Sequence, residues 1–330
     1  MPPSAPPPLR LGVFTRLVDD APPAELYTRA LELLTTAEEL GFATGWVAQH
    51  HARQDGGLPS PLVFLAAAAA RTRRLRLGTG IITLPLEAPL RLAEDAAVLD
   101  VLSGGRLELG FGTGGGRTAF ALFGRSVEER RAVYAEHLRA VRDALSGAEP
   151  VPGGPQLFPP APGLIDRLWE ATFSVEGAVR VAEHGSGLLL ARTSFSPVPD
   201  GRPAPPLALL GDVQLPLAQA YLENWKHPDT APRIGLSRSV YVAPTRAEAH
   251  EDAEAGFARL LAQGRPAEAR AARNDTCAGT PDEVLTALRA DRVLPLATDL
   301  ILQVHPVDPA PDRTLRSFRL FADEVAPGLR

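Results

Sequence analysis

The sequence predicts an α/β fold, a single parallel barrel of eight strand–helix units. Three observations lead there. Short apolar runs suited to buried strands alternate with longer amphipathic stretches along almost the whole chain, the pattern of parallel βαβ construction. The units number eight, whereas doubly wound sheets, the competing architecture, more often carry about five or six strands per domain. A length of 330 residues accommodates one (β/α)8 TIM barrel with insertions in its βα loops.

Each element has its own signal. LRLGVF (9–14) is strand one, and in the helix after it Leu26, Ala30, Leu33, Leu34 and Ala37 share one face before Gly41 stops it. TGWVAQ (44–49) is strand two; PLVFLAAAAARTR (61–73) is its helix, with Pro61 acceptable in the first turn. RLRLGTGI (74–81) with PLRLAEDAAVLDVLS (89–103), and RLELGFG (106–112) with VEERRAVYAEHLRAVRDAL (127–145), are units three and four. A Pro/Gly-rich insertion, 146–163, interrupts the rhythm without ending it. DRLWEATF (166–173) and SVEGAVRVAEHG (174–185) form unit five. GLLLA (187–191) is strand six, followed by a proline-rich stretch near 196–206 and the helix LPLAQAYLENW (215–225). RIGLSRSVYVA (233–243) and TRAEAHEDAEAGFARLLAQ (245–263) form unit seven; PDEVLTALRA (281–290) is an extra helix. TDLILQVH (298–305) and the helical 312–329 close the chain. Residues 1–8 read as a flexible proline-rich tail and 9–330 as one domain.

Composition narrows the function. A net charge of −5 without a basic run argues against nucleic-acid or anionic-membrane binding. Cys277 stands alone, which rules out an internal disulfide and a cysteine-based zinc site and fits a reducing, cytoplasmic setting. The apolar run 61–70 meets arginine at Arg71, too soon for a membrane span. GRLELGFGTGGGRT (104–117) contains a GxGxxG spacing at Gly110, Gly112 and Gly115. A dinucleotide turn would open a helix at its third glycine, with an acidic residue ending the next strand; here the next helix begins near Val127 and the next strand lies beyond the insertion. These glycines instead let backbone pass close to something at a strand end.

Five stretches together carry a family resemblance: AEELGFATGWVAQHH, the run LPSPLVFLAAAAARTRRLRLGTGIITLPLEAPLRLAEDAAVLDVLSGGRLELGFG, WEATFSVEGAVRVAEHGSGLLLART, RIGLSRSVYVAPTRAEA and TLRSFRLFADEVAPGL. In this ordered set the chain resembles the luciferase-like flavin monooxygenases, most closely the FMN-dependent members of unassigned substrate. The resemblance implies a barrel that binds FMN across its carboxyl rim and uses reduced flavin and dioxygen to oxygenate a small organic substrate. It also implies a separate flavin reductase and a homodimer. Two alternatives on the same fold are deazaflavin-dependent hydride transfer and flavin binding without catalysis.

Carried over residue by residue, the resemblance assigns a site. His50 and His51, just past strand two, would manage protons; adjacent side chains diverge, so at most one faces the cofactor. Residues alone leave open a solvent-exposed pair at a strand end, and no third ligand with suitable spacing supports a metal. The family often has Glu before these histidines, where this chain has Gln49. A non-proline cis peptide of related proteins falls on Gly80–Ile81, behind the ring, with Gly112 also against it. Gly112 stands where bacterial luciferases carry a reactive cysteine, so light emission is not implied. Ser174 reads as an N-cap and, with Thr172 and the Gly177 backbone, would hold the phosphate, Glu176 pointing away. Thr113 replaces the arginine of luciferase-type members; Arg192, or else Arg117, would supply the missing cation. The polar segment 260–279 reads either as a lid or as an ordinary exposed helix and loop.

Overall fold

The structure, a computed structural model, describes residues 8–18, 21–52, 56–149, 153–192 and 210–329; the expected tail up to residue 7 and the whole 196–206 stretch lie outside them. Its strands are β1 (Arg10–Thr15), β2 (Thr44–Val47), β3 (Arg76–Thr79), β4 (Ile82–Thr83), β5 (Leu107–Gly112), β6 (Leu168–Ala171), β7 (Gly187–Leu190), β8 (Ile234–Val242), β9 (Thr276–Gly279) and β10 (Asp299–Gln303). Eight of them close a ring in the order β1-β2-β3-β5-β6-β7-β8-β10, each parallel to its neighbours, and β10 pairs back to β1. The predicted eight-fold parallel barrel is therefore the observed fold.

The helices are α1 (Pro23–Glu39), α2 (Pro61–Arg71), α3 (Pro89–Ser103), α4 (Arg117–Leu122), α5 (Arg130–Leu145), α6 (Val175–Glu183), α7 (Leu210–Glu223), α8 (Arg246–Ala262), α9 (Pro266–Asp275), α10 (Pro281–Arg289) and α11 (Pro311–Leu320). The stripe read on the first helix is its buried face: Leu26, Ala30, Leu33, Leu34 and Ala37 all lie in the main core. Each fully buried leucine there contributes about 1.5–3 kcal/mol of transfer free energy.

The interior is layered. Trp46 and Trp169 fill its middle edge-to-face, centroids 5.6 Å apart, and pack with Leu189 and Ile301. Their rings fit because neighbouring strands offer glycine: a Cβ on Gly78 would lie 2.2 Å from Trp46, one on Gly187 2.3 Å from Trp169. At the amino end a charged plug closes the barrel, with Glu108 accepting from Arg76 Nε at 2.5 Å and Trp169 Nε1 at 2.6 Å, and Arg10 donating to Asp299 at 3.0 Å. On the carboxyl side Phe14, Ile81 and Ala171 cover the tryptophan layer and are only partly buried. That end is where the site is built.

Four elements differ from the sequence reading. The third strand divides into β3 and β4 around Gly80–Ile81, because Ile82 and Thr83 pair with Phe111 and Gly112 of β5. A short α4 forms where a loop was expected, since Phe120 buries itself against Leu86 and Val127. Helix α7 begins at Leu210, five residues early, and carries Pro216 inside it. Segment 260–279, expected as a lid or as an exposed helix and loop, consists of the end of α8, helix α9 and strand β9, which pairs with Ser239–Val242 of β8.

Candidate functional site

The bond between Gly80 and Ile81 is cis. The Gly80 amide donates to the Val47 carbonyl at 2.8 Å, tying the bulge to β2. A Cβ on Gly112 would come within 2.9 Å of the Ile81 side chain, and one on Gly80 within 2.6 Å of the Phe14 ring. Gly80, Ile81, Gly112 and Phe14 thus form one close-packed surface, which glycine permits because it adds no atoms beyond the backbone. Thr113 follows, partly buried, its hydroxyl 3.4 Å from the Gly114 carbonyl.

A second group converges at the start of α6. Ser174 Oγ accepts from the Gly177 amide at 3.1 Å, and Thr172 Oγ1 accepts from the Ser174 amide at 3.3 Å. A Cβ on Gly177 would sit 1.9 Å from Thr172 Oγ1, so this packing requires glycine. Ser174 and Glu176 are exposed. The remaining amides of the first turn face outward without intrahelical partners, and with the helix dipole they favour an anion.

The histidines diverge. By the alternation of β2, His50 falls on the inward side with Trp46, and its Nε2 lies 3.4 Å from Arg16. His51 turns away and packs on Phe123, centroids 4.7 Å apart. Burial pushes the His51 imidazole below its ordinary range, opposed by Glu87, and its Nε2 has no hydrogen-bond partner among the described residues. Gln49 locks the turn between them: its amide donates to Glu87 at 2.7 Å and to the Pro59 carbonyl at 3.3 Å, while its oxygen accepts from the Thr83 amide at 2.7 Å. A glutamate would lack that donor and place two carboxylates in contact, so Gln49 goes with Glu87.

The two arginines have other partners. Arg117 is exposed and paired with Glu128 at 2.7 Å. Arg192 is buried, 3.3 Å from Glu268 of α9 and 3.5 Å from Ser239 of β8; neither contact is with the Thr172–Ser174 turn. Burial, reinforced by Arg16, pushes its guanidinium down to about 10.

Sequence reading missed a polar group at the end of β10. His305 Nδ1 lies 2.5 Å from Asp308, and Gln303 donates to Ser237 at 2.9 Å. The signal was present as period-two alternation, since Asp299, Ile301 and Gln303 share the inward side of β10 and His305 continues it. No group of three or more metal-ligating side chains occurs among the described residues, and none of their helices is long and apolar enough to cross a membrane.

Comparison with known proteins shows the family. The chain is 32% identical over 319 residues to 4-hydroxyprotoasukamycin monooxygenase of Streptomyces nodosus subsp. asukaensis, covering 91% of this chain and 86% of that one. The crystal structure of monooxygenase RslO1 from Streptomyces bottropensis superposes with a TM-score of 0.74 at 28% identity, over 97% of this chain and 99% of the other. The same fold, at a TM-score of 0.76 and 18% identity over 97% and 98% of the two chains, is found in the oxygenating constituent of 3,6-diketocamphane monooxygenase from Pseudomonas putida in complex with FMN. The profile of the luciferase-like monooxygenases matches residues 9–301, and the chain belongs to that family.

Proposed function

We propose that the protein is an FMN-dependent monooxygenase that takes reduced flavin from a separate reductase and oxygenates a small organic substrate. One observation carries this reading. The cis Gly80–Ile81 bulge and Gly112 offer a surface for a flat ring, and the open first turn of α6 offers an anion site, both at carboxyl ends of barrel strands. A flavin mononucleotide joins those two chemistries in one molecule. Reduced FMN supplies the electrons that activate dioxygen.

The residues divide the remaining work. The Ser174, Gly177 and Thr172 turn holds the phosphate through helix amides and hydroxyls. Phe14, Ile81 and Gly112 bear on the ring, and Thr113 borders it. His50 serves as the proton acceptor of the mouth: its Nε2 presents a lone pair, held by donation from Arg16. His51 packs the rim against α4. Arg192 shapes the substrate side of the mouth rather than the phosphate side.

A homodimer completes the proposal. On the outer faces of the packed helices α2 and α3, Val63, Leu90, Val98, Val101 and Leu102 are exposed, Val63 at 72% and Leu102 at 67%. Large apolar side chains exposed on two packed helices are what a protein–protein contact would cover.

Anaerobic titration of the purified protein with reduced FMN, and separately with a reduced deazaflavin, tests the cofactor. Binding of reduced FMN followed by oxygen uptake is expected. Binding of the deazaflavin alone, without oxygen uptake, contradicts the proposal.

A further inference from the structure

A cavity of about 980 Å³ runs from the barrel mouth out between α1, α8 and α11. Its inner end is formed by Phe14, Arg16 and His305; Leu26, Leu260 and Phe318 contribute apolar wall. Phe14 also packs on Gly80, so the cavity adjoins the surface assigned to the flavin ring.

The polar end has an unusual balance. His305 is 5% exposed, and its Nδ1 is engaged by Asp308 at 2.5 Å. Burial pushes the imidazole down to about 4, whereas His305 and the arginines 16 and 192 hold the Asp308 carboxyl below its usual range. At neutral pH the carboxylate is therefore ionised, the imidazole neutral, and its proton lies on Nδ1 toward Asp308. Nε2 is left as a lone-pair acceptor, buried and without a hydrogen-bond partner among the described residues.

A buried acceptor on the cavity's inner wall calls for a donor. A carboxylate would meet lone pair with lone pair, and an ammonium would approach two arginines. We infer that this cavity is the substrate site and selects a neutral molecule with an apolar body and a hydroxyl group, whose O–H donates to His305 Nε2. The inference rests on the monooxygenase reading of the mouth.

Calorimetric titration of the flavin-free protein with catechol, guaiacol and veratrole, which carry two, one and no hydroxyl groups, tests it. Affinity is expected to fall about ten-fold from guaiacol to veratrole, in keeping with one lost hydrogen bond. His305→Phe should remove that step and leave veratrole binding unchanged, whereas His305→Gln, which keeps an acceptor there, should retain part of it. A merely structural role would shift all three ligands together. Equal affinities across the series overturn the inference, as does a hydroxyl preference that survives His305→Phe. Tighter binding of benzoate than of catechol, with proton uptake, overturns it as well. The same variants titrated with reduced FMN separate the two proposals: loss of flavin binding with the hydroxyl preference intact counts against the cofactor alone.

Discussion

His50 and His51 are neighbours in sequence and strangers in space, one beside Arg16 inside the mouth and the other on Phe123. Their substitution should separate accordingly. His50→Asn is expected to lower oxygenation by about 10²-fold or more, the ordinary contribution of a positioned acid–base group, and His51→Asn by less than about ten-fold. Steady-state oxygen uptake corrected for uncoupled consumption checks this, and equal losses would contradict the assignment. Gln49→Glu should cost about 1–3 kcal/mol at pH 8, because it removes the donor to Glu87 and Pro59 and sets two carboxylates together. Denaturant unfolding should show that cost shrinking at lower pH, where one carboxyl holds a proton. His305 gives acid sensitivity of its own. Between about 4 and its ordinary 6.5 the unfolded chain binds a proton that the folded chain refuses, so stability is full above that window and is lost as pH falls through it. The gap amounts to on the order of 3 kcal/mol, and unfolding at pH 7 and pH 5 should show it diminished in His305→Asn. An unchanged pH slope in that variant would refute the linkage.

At the scale of elements, the amino-end plug and the mouth play opposite parts. Glu108 is 2% exposed and serves Arg76 and Trp169, so Glu108→Ala leaves the buried Trp169 N–H and the part-buried Arg76 without that acceptor and is expected to cost about 1–3 kcal/mol without altering flavin affinity per folded molecule. Thermal unfolding and flavin titration on one sample read both quantities. Ser174→Ala should cost about 1 kcal/mol as a lost cap, and should weaken FMN while leaving riboflavin, which lacks the phosphate, unaffected. These elements were legible to different degrees. All eight barrel strands could be read, because each is a short apolar run between longer helical stripes, and the α6 cap could be read because Ser174 precedes a clean stripe. Helix α4 and strand β9 could not, for their order comes from tertiary partners: Phe120 against Leu86 and Val127, and Thr276–Gly279 against β8. Arg192 was placed on the phosphate because its strand end was legible and its partner on α9 was not.

For the molecule as a whole, the barrel divides its labour along its axis: charges seal one end, two tryptophans fill the middle, and the carboxyl rim carries the surfaces proposed for ring, phosphate and substrate. The outer face of α2 and α3 is the proposed dimer contact. Sedimentation is expected to show a dimer for the native chain and a monomer for the Val101→Asp, Leu102→Asp variant, whose charges fall on that exposed surface. A native monomer would remove this part of the account. The most direct test of its centre is a crystal structure of the protein soaked with FMN. The account expects the ring against Gly80–Ile81 and Gly112, with the phosphate on the amides of the first turn of α6. Flavin density instead in the cavity along α1, with the turn at Ser174 free of phosphate, would contradict it.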